Sequence, residues 1–195
     1  MHRDADSTAI GSRRASTIRT QVLRRVVAAG LGAFVVALSA QVVVPVSFSP
    51  VPMTLQPLAV LAVGGLLGAA GGVSALVLYI ALGALGLPVF AGGGAGSLHL
   101  VGPTGGYLLA FPIAAGVTGA LTGHEPRSAL RVLLACALGM VIIHTGGVAQ
   151  LALLGGDPAL AMRVGFVPFL TGDLLKVGLA AALILVAGPR VRSLL

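Results

Sequence analysis

Two ionisable side chains lie three residues apart in a long apolar segment near the end of the chain. Lys176 is the only lysine in the 195 residues, and Asp173 precedes it within the same segment. A charge inside a membrane span costs about 2.5–3.5 kcal/mol on insertion scales and is a functional hypothesis by default. Because positions i and i+3 share a helix face, both groups can point into one cavity.

This pair is chemically complementary to a small molecule with an acid at one end and amide-like groups at the other. An ammonium attracts a carboxylate, and a carboxylate accepts hydrogen bonds from N–H donors. The alternative is an ion pair that satisfies itself within the helix, although such buried pairs rarely improve stability over apolar residues. The pair therefore favours uptake of a small solute, with the self-contained ion pair left open.

Other polar residues are weaker candidates for the same cavity. His144 and Gln150 lie in another apolar segment, where we expect them to hydrogen-bond a neighbouring helix or to line the cavity. Thr54 and Gln56 lie near the predicted outer mouth.

Motifs for nucleotide, metal or disulfide chemistry are missing from the sequence. A P-loop requires Gly-Lys-Ser/Thr, but Leu175 precedes the lysine, and the Gly-rich stretch 92–96 lacks the third glycine of the dinucleotide fingerprint. The histidines lack metal-ligand spacing. Cys136 is the only cysteine, so it cannot form an internal disulfide. We predict no cofactor, no metal and no enzymatic activity.

The composition is typical of a protein embedded in a lipid bilayer. Hydrophobic residues make up 57% of the chain and charged residues 9%, whereas soluble domains carry roughly 25% charged residues. A soluble protein of this size cannot bury so much apolar surface. We therefore predict an all-α membrane protein.

The lengths of the apolar segments predict six transmembrane helices, because about 20 apolar residues cross the hydrocarbon core. Segment 53–87 is uncharged but too long for one ordinary span, and the Gly71–Gly72 pair near its middle offers a turn. We therefore divide it into two short helices. The other predicted spans are residues 26–44, 105–122, 132–154 and 167–187.

The arginines predict that both termini are cytoplasmic. With six spans, every arginine except Arg163 lies on the cytoplasmic side, as the positive-inside rule requires. We divide the chain into a basic tail (1–25), a membrane domain (26–188) and a short basic tail (189–195). A basic tail can also bind nucleic acid, but a tail beside a membrane span is the favoured interpretation, so we predict no nucleic-acid partner.

Ala29, Ala33 and Ala37 recur at a spacing of four in the first span and therefore share one face. Small residues let helices approach closely in lipid. This face could pack within the protein, or it could dock a partner membrane protein.

Four segments that follow one another along the chain resemble the BioY family, the biotin-binding S components of energy-coupling factor transporters. The similarity extends from about residue 26 to the C-terminal end. The segments are Val-Pro-Met-Thr-Leu-Gln (51–56), Gly-Leu-Pro-Val-Phe-Ala-Gly (86–92), Gly-Pro-Thr-Gly-Gly-Tyr (102–107) and Pro-Phe-Leu-Thr-Gly-Asp-Leu-Leu-Lys (168–176).

The resemblance implies a subunit of the cell membrane that binds biotin from outside and works with a membrane coupling subunit and two cytoplasmic ATPases. It implies that Asp173 holds the ureido ring, that Lys176 meets the carboxylate, and that the alanine face docks the coupling subunit. The other expected substrate-binding residues are Thr54, Gln56, Phe90, Gly105, Tyr107 and Gln150.

Three alternatives remain open from the sequence. The first is a self-sufficient carrier or channel for a small carboxylate-bearing solute, for which internal inverted repeats would be expected. The second is a membrane enzyme that uses Lys176 and Asp173 as base and acid, for which more polar residues would be expected. The third is a scaffold in which both charges can be replaced by apolar residues.

Overall fold

The computed structural model describes residues 3–123 and 128–194, with side chains described from residue 19 onward. It confirms the predicted all-α fold and adds a two-stranded antiparallel ribbon. The helices are α1 (Arg3–Ser39), α2 (Gln56–Ala84), α3 (Leu98–Val101), α4 (Gly105–Leu121), α5 (Ala129–Gly155), α6 (Pro158–Gly165) and α7 (Leu170–Ser193), and the strands are β1 (Val43–Val44) and β2 (Met53–Thr54).

Helix α2 is a hairpin of two arms rather than one continuous rod. Gly68 interrupts it with φ 78° and ψ 175°. Gln56 Nε2 lies 2.6 Å from the Tyr79 hydroxyl, whereas 23 residues of straight helix would separate them by roughly 35 Å. The arms 56–67 and 69–84 therefore run antiparallel. This confirms that the segment divides into two spans, with the reversal at Gly68 rather than at Gly71–Gly72.

Within residues 3–123 and 128–194, the chain makes six crossings of the bundle. Four of its segments are long and apolar enough to span a membrane. The second of these reverses on itself and supplies two crossings, the other three supply one each, and the shorter helix α4 supplies the sixth. The four segments are Arg19–Ser39, Gln56–Ala84, Ala129–Gly155 and Pro158–Ser193.

The part of α1 around Arg24 and the C-terminal end of α7 lie on the same face of the bundle. Arg24 on α1 donates a hydrogen bond to the carbonyl of Leu194, just after α7, at 3.4 Å. This face also carries Arg190 and Arg192, so the positive-inside rule makes it cytoplasmic. The β-ribbon, α3, α6 and the start of α7 lie on the outer face.

The Arg192 side chain ties three elements together on the cytoplasmic face. Its guanidinium donates to the carbonyls of Gly65 and Leu66, next to the reversal in α2. It also lies 3.3 Å from the Thr122 hydroxyl at the end of α4. The predicted end of the last span at residue 187 is too early, because α7 continues through Pro189 to Ser193. Transmembrane helices tolerate proline where neighbouring groups satisfy the freed backbone.

The end of the first helix also differs from the sequence prediction. Helix α1 begins at Arg3 and ends at Ser39, so the helix continues through the predicted tail, and a boundary at residue 25 stays a prediction. Val43 pairs with Thr54 in the ribbon instead of extending the first span. Prolines at 45, 50 and 52 suit this connection, because proline cannot continue a helix.

Small residues bring the helix backbones close together. A Cβ added to Gly64 would lie 2.7 Å from the Ala115 Cα, and one added to Gly146 would lie 2.6 Å from the Gly106 carbonyl oxygen. Real Cβ atoms essentially never come this close to backbone atoms. The contacts of α4 with α2 and α5 therefore depend on glycine, as expected where packing replaces the hydrophobic effect.

The alanine face of α1 packs inside the protein. Ala29 and Ala33 are 8% and 3% exposed and belong to the core, and Ala37 is half-buried against it. Neighbouring Gly32 also faces α2, since a Cβ there would lie 2.9 Å from the Ala75 Cβ. The structure therefore agrees with internal packing, and docking of a partner on this face stays a prediction.

Candidate ligand-binding site

Three buried polar side chains meet at the outer end of α7. The Asp173 carboxylate accepts from Lys176 Nζ through Oδ1 at 2.9 Å, and its Oδ2 lies 2.6 Å from His144 Nε2. Each of the three residues is less than a tenth exposed. The two charges therefore pair with each other, as in the alternative that the sequence left open, and a histidine from a different helix joins them.

The local sequence explains why these groups meet. Asp173 lies in the first turn of α7, where the helix dipole favours negative charge. Lys176 follows on the same face. His144 lies in the middle of α5, beside Gly147, which leaves room for the ring of Tyr107. Tyr107 donates to the Gly165 carbonyl at 2.6 Å, so its hydroxyl is occupied while its ring faces the site.

All three polar side chains line a cavity of about 230 Å³. An engineered apolar cavity of roughly 150 Å³ accommodates benzene, so the present cavity is of a size for a small organic molecule. Most of its wall is apolar. The lining residues are Val51, Pro52, Thr54, Gln56, Pro57, Phe90, Ala91, His99, Thr104, Tyr107, Leu108, Phe111, Ile143, His144, Phe169, Asp173 and Lys176.

A chain of hydrogen bonds fixes the outer rim of the cavity. Thr54 donates to the Gln56 side-chain oxygen at 3.1 Å, Gln56 donates to the Tyr79 hydroxyl, and Tyr79 donates to the Val89 carbonyl at 3.1 Å. The fully buried ring of Phe90 packs edge-on against the ring of Tyr79, with the two ring centroids 5.6 Å apart. The β-ribbon and the loop after α2 are thereby held against each other.

Two predicted substrate-binding residues support the wall instead of lining it. Gln150 donates through Nε2 to the carbonyls of Leu100 and Gly102 at 3.1 and 2.6 Å. A Cβ added to Gly105 would lie 2.6 Å from the same amide nitrogen. These residues therefore hold the segment around α3 onto α5, and direct ligand contact by either stays a prediction.

The other six predicted residues do line the cavity: Thr54, Gln56, Phe90, Tyr107, Asp173 and Lys176. The sequence prediction missed the apolar wall formed by Phe111, Ile143 and Phe169, because such residues are common in every span. His144 had a signal, since a polar residue in a membrane span requires a partner. Its neighbour Asp173 lies 29 residues away, a contact that spacing does not reveal.

The described residues, 3–123 and 128–194, contain no group of three or more His, Cys, Asp or Glu side chains placed to hold a metal ion. The polar end of the cavity instead offers one ammonium, one carboxylate and one imidazole. These groups can bind a molecule that carries both an acid and N–H donors.

Six crossings around a small cavity with a charged end define a multi-pass membrane protein of the kind that binds a small solute between its helices. The chain belongs to the BioY family, whose model matches residues 10–193.

Curated relatives cover most of the chain. A "Biotin transporter BioY" from Thermotoga maritima is 39% identical over 163 residues, which span 84% of this chain and 95% of the relative. A "Probable biotin transporter BioY" from Pyrococcus horikoshii is also 39% identical, over 75% of this chain and 86% of the relative.

A solved structure supports the fold. The crystal structure of an "S-component for biotin from an ECF-type ABC transporter" superposes with a TM-score of 0.78 at 24% identity, covering 89% of this chain and 93% of the other. The predicted six-span fold and the family resemblance are both confirmed.

Proposed function

We propose that this protein is the membrane-embedded subunit that captures biotin outside the cell for uptake across the plasma membrane. The observation that carries the proposal is the Asp173–Lys176 pair, which lines a small cavity at the outer end of α7. The biotin transporters among its relatives support biotin as the ligand.

The cavity offers a complementary group for each part of biotin. Lys176 would meet the carboxylate, and Asp173 would accept from the ureido N–H groups, while the rings of Phe90, Tyr107 and Phe169 would pack on the apolar body. Both charges are already paired before a ligand arrives. Binding would therefore exchange partners instead of leaving either charge unpaired, which is the costly outcome in a buried site.

Energy for uptake would come from other subunits. The sequence has no P-loop lysine, since Lys176 follows Leu175 within a membrane helix. The proposed assembly adds a membrane coupling subunit and cytoplasmic ATPase subunits, and the loaded protein would move relative to them.

The direct test is titration of labelled biotin against the full chain purified in detergent. We expect one saturable site. Competition should weaken when the competitor lacks the carboxylate, as in biotin amide, and also when it lacks the cyclic urea, as in an unsubstituted fatty acid. Absence of saturable biotin binding would overturn the proposal.

Reconstitution in vesicles separates this function from that of a self-sufficient carrier. We expect the protein alone to bind biotin without ATP-dependent accumulation, and accumulation to require the coupling and ATPase subunits. Concentrative uptake by the protein alone would favour the carrier for a small carboxylate-bearing solute.

A further inference from the structure

His144 carries a buried nitrogen that the fold does not satisfy. Among the described residues, its Nδ1 is the buried side-chain atom without a hydrogen-bond partner. Leaving a buried polar group unpaired costs free energy, and a phenylalanine of similar shape would avoid that cost. Packing alone therefore gives no reason for a histidine here, and the reason must lie in its other nitrogen.

That other nitrogen is directed at the ligand-binding carboxylate. An ionised Asp173 can only accept, so we assign the ring proton of His144 to Nε2, which lies 2.6 Å from Oδ2. The imidazole is held by three aromatic rings, with centroids of Tyr107, Phe166 and Phe169 at 6.0, 5.0 and 6.0 Å. The ring therefore has little freedom to turn away from Asp173.

The two donors to Asp173 differ in their freedom to move. Lys176 has a long flexible side chain on the same helix, whereas His144 has a short rigid side chain on α5. If a ligand carboxylate drew the ammonium away from Oδ1, Asp173 would lose that donor. A buried carboxylate without donors is strongly unfavourable, and a donor that stays on Oδ2 keeps Asp173 paired until a ligand N–H group reaches Oδ1.

We infer that His144 is the positioning residue for Asp173: it holds Oδ2 throughout binding, so that Lys176 can release Oδ1 to a ligand N–H group and turn to the ligand's acid. This inference rests on the proposed function, because it assigns separate groups of biotin to Oδ1 and to Lys176. It adds a residue on α5 to a site whose charged groups both belong to α7.

The test compares two substitutions at one position. His144→Phe keeps the ring shape and removes the donor, and we expect biotin affinity to fall about 10- to 100-fold, the range for a hydrogen bond to a charged group. His144→Gln supplies an amide donor, and we expect it to recover most of the lost affinity. Stability is not the readout, because the lost donor to Oδ2 and the removed unpaired Nδ1 change the melting temperature of the empty protein in opposite directions.

A double-mutant cycle with Asp173→Asn tests whether His144 affects biotin affinity through Asp173. We expect His144→Phe to change the residual affinity of Asp173→Asn by less than about threefold, because the positioned carboxylate is gone. If the wild type binds biotin and His144→Phe binds it with the same affinity, the inference is overturned and the proposed function stands. Equal losses in the Phe and Gln variants would also overturn it. Failure of the wild type to bind biotin would overturn both.

Discussion

At the residue scale, the Asp173 carboxylate has a donor on each oxygen before any ligand is present. Such a buried pair adds little to stability compared with apolar residues, but removal of one partner is costly. Ligand binding at the site is therefore sensitive to truncation of either charged side chain. It also shows why ion pairing and ligand binding are compatible: the pair faces a cavity, and its members can exchange partners.

Lys176→Ala tests this sensitivity. We expect biotin binding to weaken by about 2–5 kcal/mol, because Asp173 loses a donor and the ligand carboxylate loses its cation. The measurement is titration of the purified variant. Leu175→Ala, at an outward-facing neighbour that is 65% exposed, is the matched control and should bind normally. Unchanged affinity in Lys176→Ala would remove the lysine from the site.

At the element scale, the reversal within α2 places the two arms of the hairpin against each other. Gly68 adopts φ 78° and ψ 175°, a backbone region that is essentially restricted to glycine. The turn lies beside the carbonyls that Arg192 binds. A 29-residue apolar helix therefore becomes two short spans, and Gln56 is brought to Tyr79 at the cavity rim.

Gly68→Ala should destabilise the empty protein by about 1–3 kcal/mol, because alanine must adopt a strained backbone conformation even though the added Cβ meets open space. Thermal unfolding in detergent measures the change. Gly30→Ala is the control, since its added Cβ also meets nothing within 4 Å and its φ is not positive. Equal melting temperatures for the two variants would contradict the strained turn.

Gln150→Leu should loosen the wall of the cavity without removing a lining residue. The substitution removes both hydrogen bonds to the carbonyls of Leu100 and Gly102. We expect faster amide hydrogen exchange across residues 98–105, since local opening becomes easier. Thr145→Ala is the control, because its hydroxyl bonds only within α5, to Val141. Unchanged exchange would show that this amide does not hold the segment.

At the scale of the whole molecule, the bundle has a cytoplasmic face held by arginine and an outer face that carries the cavity. The first helix joins this bundle through its small residues, because Ala33 is 3% exposed and Phe34 beside it is 59% exposed. The exposed surface of α1 is thus the side that carries large apolar residues.

Ala33→Leu separates internal packing from partner docking. Overpacking of a core typically costs about 1–3 kcal/mol, so we expect a lower melting temperature of the protein alone. Phe34→Leu, on the exposed side, should melt like the wild type. Normal stability and biotin binding, with loss of co-purification with the coupling subunit, would instead support the docking face that the resemblance implies.

The amino-acid sequence by itself determined the membrane class, the number of crossings, the orientation and the charged pair. These properties follow from composition, segment length and arginine placement, none of which depends on which helices contact each other. A lone lysine three residues after an aspartate in an apolar segment needs no tertiary information to be noticed.

Only the tertiary structure decided which residues face the cavity. A membrane helix is apolar on its lipid side and on most of its interior side, so periodicity does not reveal the inward face. That is why Gln150 and Gly105 proved to support the wall, while Phe169 and His144 line it. The contact between His144 and Asp173 joins two helices across 29 residues, and only packing of α5 against α7 creates it.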